Sequence, residues 1–396
     1  RVCTNSSSIS LKKALQLIDK EKKNLFKISK IKLSKALNKV VAEDILSPIN
    51  LPSLDCAGLD GFVFNSSHKS KLPISKKIIT PGKIFKNHSH NYAYRINTGA
   101  IIPKNLSNFV SIENSKTDNV SLFISQSKIS NKDIKKKGED LKKGKILIRK
   151  NEKINFLKLS LLASAGIVNV KIFSSLKIGI VSNGDELVKI GNIKKKEQVY
   201  DSNKLQIINF LKKFNVSIKD LGILKDNEKK IENFYKKRIQ KYDLIISSGG
   251  SSFSSGDLIS KFLNKNTKTI FKYIRIQPGR PIIFSKYKQK YIFSLPGNPL
   301  AVLVNLIFLV SFFINPSAGE MFSLSQKIKS GFNDTKNPNI TKFYRVIIKN
   351  NIAFPHNSKG SAKLISVSES DGLMVINENV KSIKKGNIYE FFKFEI

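Results

Sequence analysis

Apolar positions change their spacing several times along this chain, and each change predicts a change of structure. From Ser10 to about Lys22, Leu11, Ala14, Leu15, Leu17 and Ile18 recur near the helical period, with Ser10 placed to cap the helix. A second, short helix is expected from near Ser34 through Val41 or Ala42, before Pro48 and Pro52 stop regular structure. Between about 53 and 145, β-prone runs at 62–64, 92–96, 109–112 and 121–124 are separated by turn residues, among them Pro81, Gly82 and Gly99. Helix returns over 157–165 and stops at Gly166, a residue suited to the left-handed C′ position.

The middle third alternates strand and helix: strand 176–182, helix 203–214, strand 216–224, helix 228–239, strand 243–247. That alternation predicts a parallel α/β sheet with layered helices, in which ligands bind beyond the carboxyl ends of the strands. A short strand at 274–276 leads to Gln277-Pro278-Gly279-Arg280-Pro281, and runs at 282–284 and 291–293 read as a hairpin. Leu295-Pro296-Gly297-Asn298-Pro299 then opens an apolar helix that Pro316 and Gly319 end. Beyond it, alternation at 344–348, 363–367 and 373–376 predicts a small all-β module. The expected class is α/β and multi-domain: a helical linking domain over 1–50 and 145–175, an inserted β-rich lid domain over 51–144, a central parallel α/β domain over 176–322 and a C-terminal β module over 323–396.

Composition narrows the chemistry. A chain of 396 residues, 40% hydrophobic, can bury a substantial core. Two cysteines exclude a disulfide scaffold and a Cys-rich metal site, and four histidines leave little room for a His-built metal centre. The formal charge of +41 taken alone suggests nucleic acid, but lysine is spread uniformly beside Asn, Ile and Ser. We read it as compositional bias and expect no nucleic-acid partner. The longest apolar run, 301–314, falls short of the roughly 20 residues that span a bilayer, so no membrane association is expected. Residues 1–9 carry no apolar run of signal-peptide length, and the expected location is cytoplasmic.

Two predicted strand ends carry glycine among polar residues: Asn183-Gly184-Asp185-Glu186 and Ser247-Ser248-Gly249-Gly250. Such turns let backbone N–H groups approach an anion, and a phosphate-bearing ligand suits them; ordinary βα turns share the composition. Neither is a P-loop, and no dinucleotide fingerprint is present. Asp60, Asp140, Asp185, Asp226 and Asp257 sit beside glycine or at element boundaries. Asp226 and Asp257 follow strand-end regions, where carboxylates with phosphate oxygens would hold Mg²⁺; each could equally be a cap or turn residue. Arg280, between Gly279 and Pro281, is suited to an oxyanion or to solvent, and Asn298 to a helix cap or a ligand contact. Cys56 has no histidine near it in sequence and is not expected to act as a nucleophile.

Together these segments resemble the molybdopterin molybdotransferase family, the molybdenum insertases, which include the enzymatic domain of gephyrin. Asp55 to Phe62 resembles the family's DNSAMDGY, and Thr98-Gly99-Ala100 with Pro103 its TGAPVP-like loop. Gly138-Glu139-Asp140 matches GED, Asn183 to Leu187 resembles TGDEL, and Tyr200 to Asn203 resembles YDTN. Ser247 to Gly250 with Asp257 resembles SSGGVSxGxxD, Gln277 to Pro281 resembles KPGKP, and Leu295 to Pro299 matches LPGNP. Eight such segments in one order cover nearly the whole chain.

The resemblance implies insertion of molybdate into adenylylated molybdopterin with release of AMP, by an Mg²⁺-dependent homodimer. It places Mg²⁺ on Asp226 and Asp257 and adds Asp60, reaching the partner subunit's cleft, and Arg280 to the catalytic set. Substrate contacts are implied at Thr98, Gly99, Glu139, Asp140, Gly184, Asp185, Ser248, Gly249, Gly250, Ser252, Pro278, Gly279, Pro281 and Asn298, with Arg345 and Ser361 from the C-terminal module. A molybdopterin adenylyltransferase is the implied upstream partner. Departures fall at 56–59, at Asn183 where the family has Thr, at Ser254-Ser255 and at Gln277. The alternatives are an adenylyltransferase, against which the extra β-rich regions argue, and a catalytically weakened molybdopterin-binding scaffold.

Overall fold

In the computed structural model, residues 8–65, 70–86, 88–118, 120–249, 258–317, 325–357 and 364–394 are described. They form two compact units, Lys30–Ile172 and Arg1–Ser29 with Phe173–Ile396. The first helix, α1 (Leu11–Lys22), begins where expected: Ser10 accepts a hydrogen bond from the Lys13 amide at 3.1 Å. Its Ala14 and Ile18 are fully buried in the larger unit's core.

The unit Lys30–Ile172 is built on a six-stranded sheet of β1 (Gly61–Phe64), β2 (Lys71–Ile79), β3 (Ala93–Ile96), β4 (Asn108–Ser111), β5 (Lys116–Thr117) and β6 (Ser121–Phe123). Its order is β4-β1-β3-β2-β6-β5, antiparallel except for the β2–β3 pair. The nine-residue β2 was not anticipated, because its lysines break the alternation. The helix expected near 34–42 does not form. A 3-10 turn over Leu33–Lys35 gives way to Asn38 in the left-handed region (φ 63°), and the amides of Asn38 and Val41 bond to the carbonyls of Ile154 and Glu152. Tertiary pairing thus overrides a short apolar pattern rich in β-branched residues. Helix α2 (Phe156–Ser164) is capped by Asn155 and followed by Gly166 at φ 76°.

The larger unit holds a mixed six-stranded sheet. Its elements are β7 (Leu176–Asn183), α3 (Ser202–Leu211), β8 (Val216–Leu224), α4 (Glu228–Arg238), β9 (Leu244–Ser248), α5 (Leu258–Asn266), β10 (Lys268–Lys272), β11 (Ile276–Gln277), β12 (Ile283–Tyr287) and β13 (Lys290–Leu295). All but β11 join the sheet, in strand order β8-β7-β9-β13-β12-β10. The first four run parallel; β12 and β10 add antiparallel partners at one edge. Residues 176, 178 and 180 of β7 face a core built with α1, α3 and the long apolar helix, while Val181 faces α4 and α5. That helix begins as α6 (Pro299–Asn305), passes through a π turn (Leu306–Val310) and ends as α7 (Ser311–Ile314).

β11 leaves this sheet and pairs in parallel with the C-terminal module. There β14 (Gln326–Ser330), β15 (Thr341–Lys349), β16 (Ile352–Pro355), β17 (Gly372–Ile376) and β18 (Ile388–Lys393) follow the order β15-β16-β14-β18-β17, and β17 pairs back onto β15 to close a small barrel. The strand expected over 363–367 is instead a one-turn helix, α8 (Leu364–Ser368), with Ser366 buried. A five-residue segment with three apolar positions fits either period, and packing decides between them. The chain is therefore α/β and multi-domain, with a central, mostly parallel sheet, a β-rich region and a small C-terminal β module.

Candidate active site

In the central sheet β7 lies between β8 and β9, the strands that follow it in the chain. The chain thus leaves β7 in one direction and returns on its other side. The crevice at the carboxyl ends of β7 and β9 is a topological switch point, where open α/β sheets bind ligands. Asn183-Gly184 ends β7, and Ser248-Gly249 ends β9. Gly249 has φ 84°, and a Cβ there would overlap the Asn183 carbonyl oxygen, so only glycine lets the two turns meet.

Contacts then run from segment to segment along these strand ends. The Gly184 amide donates to Leu224 O at 3.2 Å, and the Gly249 amide to Leu295 O at 3.1 Å. Asn203 Nδ2 donates to Gly297 O at 2.7 Å, tying the start of α3 to the start of α6. Asn298 caps α6, accepting from the amides of Leu300 and Ala301. From within α6, fully buried Asn305 donates to Gly279 O at 3.2 Å. The Arg280 carbonyl accepts from the Ile274 amide at 3.1 Å, which fixes the half-buried Arg280 between Gly279 and Pro281.

Beyond β8, Asp226 and Asp185 clasp each other. The Asp226 amide donates to Asp185 Oδ1 at 3.1 Å, and the Asp185 amide to Asp226 Oδ2 at 3.4 Å. Lys225 Nζ closes the turn by donating to the carbonyls of Asp185 (2.8 Å) and Leu187 (3.3 Å). Each exposed carboxylate is thereby held by the other residue's backbone amide through one oxygen.

Asp60, Thr98, Gly99, Glu139 and Asp140 belong to the other unit. Asp60 Oδ1 accepts from the Thr98 amide at 2.6 Å and from Thr98 Oγ1 at 2.7 Å. Those bonds, the amide foremost, hold its carboxyl below the usual carboxylate range. Gly99, at φ 80°, donates to Ala57 O at 2.7 Å and completes the turn. Glu139 accepts from the Lys136 amide at 2.7 Å, Asp55 from the Lys137 amide at 2.8 Å, and the Asp140 amide donates to Leu51 O at 3.1 Å. Cys56 is buried, and burial pushes its thiol up, opposite to what a nucleophile needs.

Arg345 lies on β15, where Nη1 donates to Ser366 Oγ and partial burial lowers its pKa. Gly250, Ser252, Asp257 and Ser361 lie outside the described residues. Among the described residues no group of three or more His, Cys, Asp and Glu is placed to hold a metal ion, and no helix is long and apolar enough to cross a membrane.

Sequence reasoning missed Lys225, Asn305 and the bridging role of Asn203. Asn305 had a signal, an amide within an otherwise apolar helix. Lys225 had none, being one lysine among many. Also unanticipated is a polar patch beneath the strand ends. Asn183 is 4% exposed, and Ser247 and Ser294 are fully buried. The Asn183 amide atoms and both hydroxyls lack a hydrogen-bond partner among the described residues. Each such buried polar atom costs about 1–3 kcal/mol when left unpaired.

Comparison with known proteins accounts for nearly the whole chain. Residues 9–166 match the family described as MoeA N-terminal region (domain I and II), residues 179–315 a probable molybdopterin binding domain, and residues 327–394 the MoeA C-terminal region (domain IV). A molybdopterin molybdenumtransferase of Haemophilus influenzae is 34% identical over 284 residues, 71% of this chain and 70% of that protein. A putative molybdopterin biosynthesis protein of Methanocaldococcus jannaschii is 28% identical over 98% of this chain and 96% of its own. The crystal structure of a molybdopterin biosynthesis MoeA protein from Pyrococcus horikoshii superposes with a TM-score of 0.83 at 27% identity, covering 98% of this chain and 99% of that one.

Proposed function

Because this chain belongs to the MoeA family of molybdopterin molybdenumtransferases, we propose that it transfers molybdenum to molybdopterin, inserting molybdate into the adenylylated substrate and releasing AMP. The observation that supports this reading best is the unbroken chain of contacts along the strand ends. It links the segments around Gly184, Gly249, Gly297 and Gly279, which carried the family resemblance, and ties Asp226 to the first of them.

Within that reading the protein supplies position and charge rather than a covalent intermediate. Glycine-lined turns at Gly184 and Gly249 admit the phosphate. The Arg280 guanidinium, its backbone pinned on both sides, offers a fork of donors to an oxyanion. Asp226, with Asp257, would hold Mg²⁺. The clasp with Asp185 suits a hard cation, because the ligand atoms it fixes through backbone amides are carboxylate oxygens. The ion, when bound, neutralises charge on the phosphate that leaves.

A homodimer in the cytoplasm is part of the proposal. It is supported by the apolar surface that Phe156, Leu157, Leu161 and Val168 leave exposed on and just after α2. Light scattering should then give twice 44.5 kDa. In such a dimer, Asp60 of one protomer would complete the cleft of its partner. A molybdopterin adenylyltransferase is the proposed upstream partner.

The decisive assay is AMP release from adenylylated molybdopterin with and without molybdate, beside a second incubation with molybdopterin, ATP and Mg²⁺. Molybdate-dependent release supports the assignment. Adenylylation of molybdopterin in the second incubation would replace it with the preceding step. Binding of the adenylylated substrate without AMP release would reduce the protein to a scaffold.

A further inference from the structure

Asn183 occupies an unusual position for an amide. Val181 faces the α4–α5 side of the sheet, so Asn183, two residues on, continues along that face. Ser247 and Ser294 lie on the same face, each two residues beyond a residue of that core, Ile245 and Ile292. In register, Val181 stands opposite Ser247, and Ser247 opposite Ser294. Three polar side chains thus line one face where the sheet ends, at the switch point between β7 and β9. None has a partner among the described residues, and all are more than nine-tenths buried.

The backbone around Asn183 is equally committed. Gly184 follows at φ 147°, and Gly249 packs its Cα against the Asn183 carbonyl. The side chain is therefore fixed at the seam of the two glycine turns. An apolar residue of similar size would fill this space without stranding any polar atom, so the free protein gains nothing from the amide. A group that is unfavourable in the free state and sits where a ligand binds points to a partner present only in the bound state.

We infer that Asn183 is a substrate-binding residue, its Nδ2 donating to a phosphate oxygen of the adenylylated substrate, with Ser247 and Ser294 completing a polar floor beneath that phosphate. This rests on the molybdotransferase reading and adds a contact to it. The family pattern has a threonine here, so a hydroxyl donor of smaller reach is expected to substitute.

Calorimetric titration of the protein with adenylylated molybdopterin, and with AMP alone, tests the inference beside thermal melts of the unliganded protein. Asn183→Leu should melt no lower than wild type, and higher if the amide is as unfavourable as its surroundings indicate. Its Kd for the adenylylated ligand should rise roughly tenfold, the scale of one hydrogen bond to a charged group. Asn183→Thr should bind within about threefold of wild type. If the Leu variant does not fold, Asn183→Ala removes the amide without adding bulk, and the same loss of affinity is expected. Wild-type affinity in a folded Leu or Ala variant overturns the inference and leaves the activity assignment standing. No binding of the adenylylated ligand by wild-type protein overturns both.

Discussion

Asp60, in the unit Lys30–Ile172, and Asp226, beyond β8 in the other unit, are both exposed carboxylates fixed by backbone amides. Their settings differ in the charge around them. Asp60 accepts two short bonds from one neutral residue, Thr98, both on Oδ1. Asp226 is held against a second carboxylate, Asp185, and the nearby cation, Lys225, spends its ammonium on two carbonyl oxygens. The first arrangement pairs a carboxylate with a neutral donor. The second brings like charges together, an arrangement that suits a site completed by a bound cation. A carboxylate's neighbours, more than its exposure, thus distinguish the two settings.

The largest effect expected is at Asp226. Asp226→Asn should lower molybdate-dependent AMP release by roughly a hundredfold or more at limiting Mg²⁺, as for loss of a group that manages transition-state charge. Raising Mg²⁺ should restore part of it. Asp60→Asn should also slow turnover, but without moving the Mg²⁺ midpoint. A Mg²⁺ titration of both variants reads the contrast directly, and equal shifts in midpoint would erase the distinction.

Arg280 comes next. Arg280→Ala should raise the molybdate midpoint roughly tenfold, the scale of one lost charge-assisted hydrogen bond, with normal melting because Asn305 and Ile274 hold the loop through its backbone. Arg280→Lys should lie between, since charge survives and the planar fork does not. An unchanged midpoint in a folded Arg280→Ala protein would leave oxyanion attraction to other groups.

These two regions also show what the chain disclosed before folding. The β7 and β9 strands and the glycine turns that end them were readable, because a buried parallel sheet demands continuous apolar runs broken by turn residues. The cap at Asn298 was readable for the same local reason. The Asp185–Asp226 clasp was not, since it joins residues 41 positions apart through backbone amides that any residue carries. The Asp60–Thr98 turn was suggested only by resemblance, for its partners stand on separate segments of the β-rich unit. Residues 34–42 and 363–367 were misread as helix and strand, because runs this short take their conformation from what they pack against.

The smallest effect expected is at Thr98, and it separates the two bonds that Asp60 accepts. Thr98→Val removes the hydroxyl and keeps the amide, which is the stronger influence on the carboxyl. The pKa of Asp60 should therefore move up toward the ordinary value of about 3.9 without reaching it. Because the folded value is depressed, the contribution to stability is present above the unfolded pKa and fades as pH falls through the folded one. Wild type and variant should accordingly differ most near neutral pH and converge in acid, where the carboxyl is protonated in both. At pH 7 Asp60 stays ionised in the variant, so turnover should drop only about two- to fivefold, from looser positioning by one lost neutral hydrogen bond. Carbon-detected NMR titration of the Asp60 carboxyl, with urea midpoints from pH 3 to 7, measures both expectations. Superimposable titration curves would show that the amide alone holds the carboxylate, and the hydroxyl would then have no part in presetting this charge.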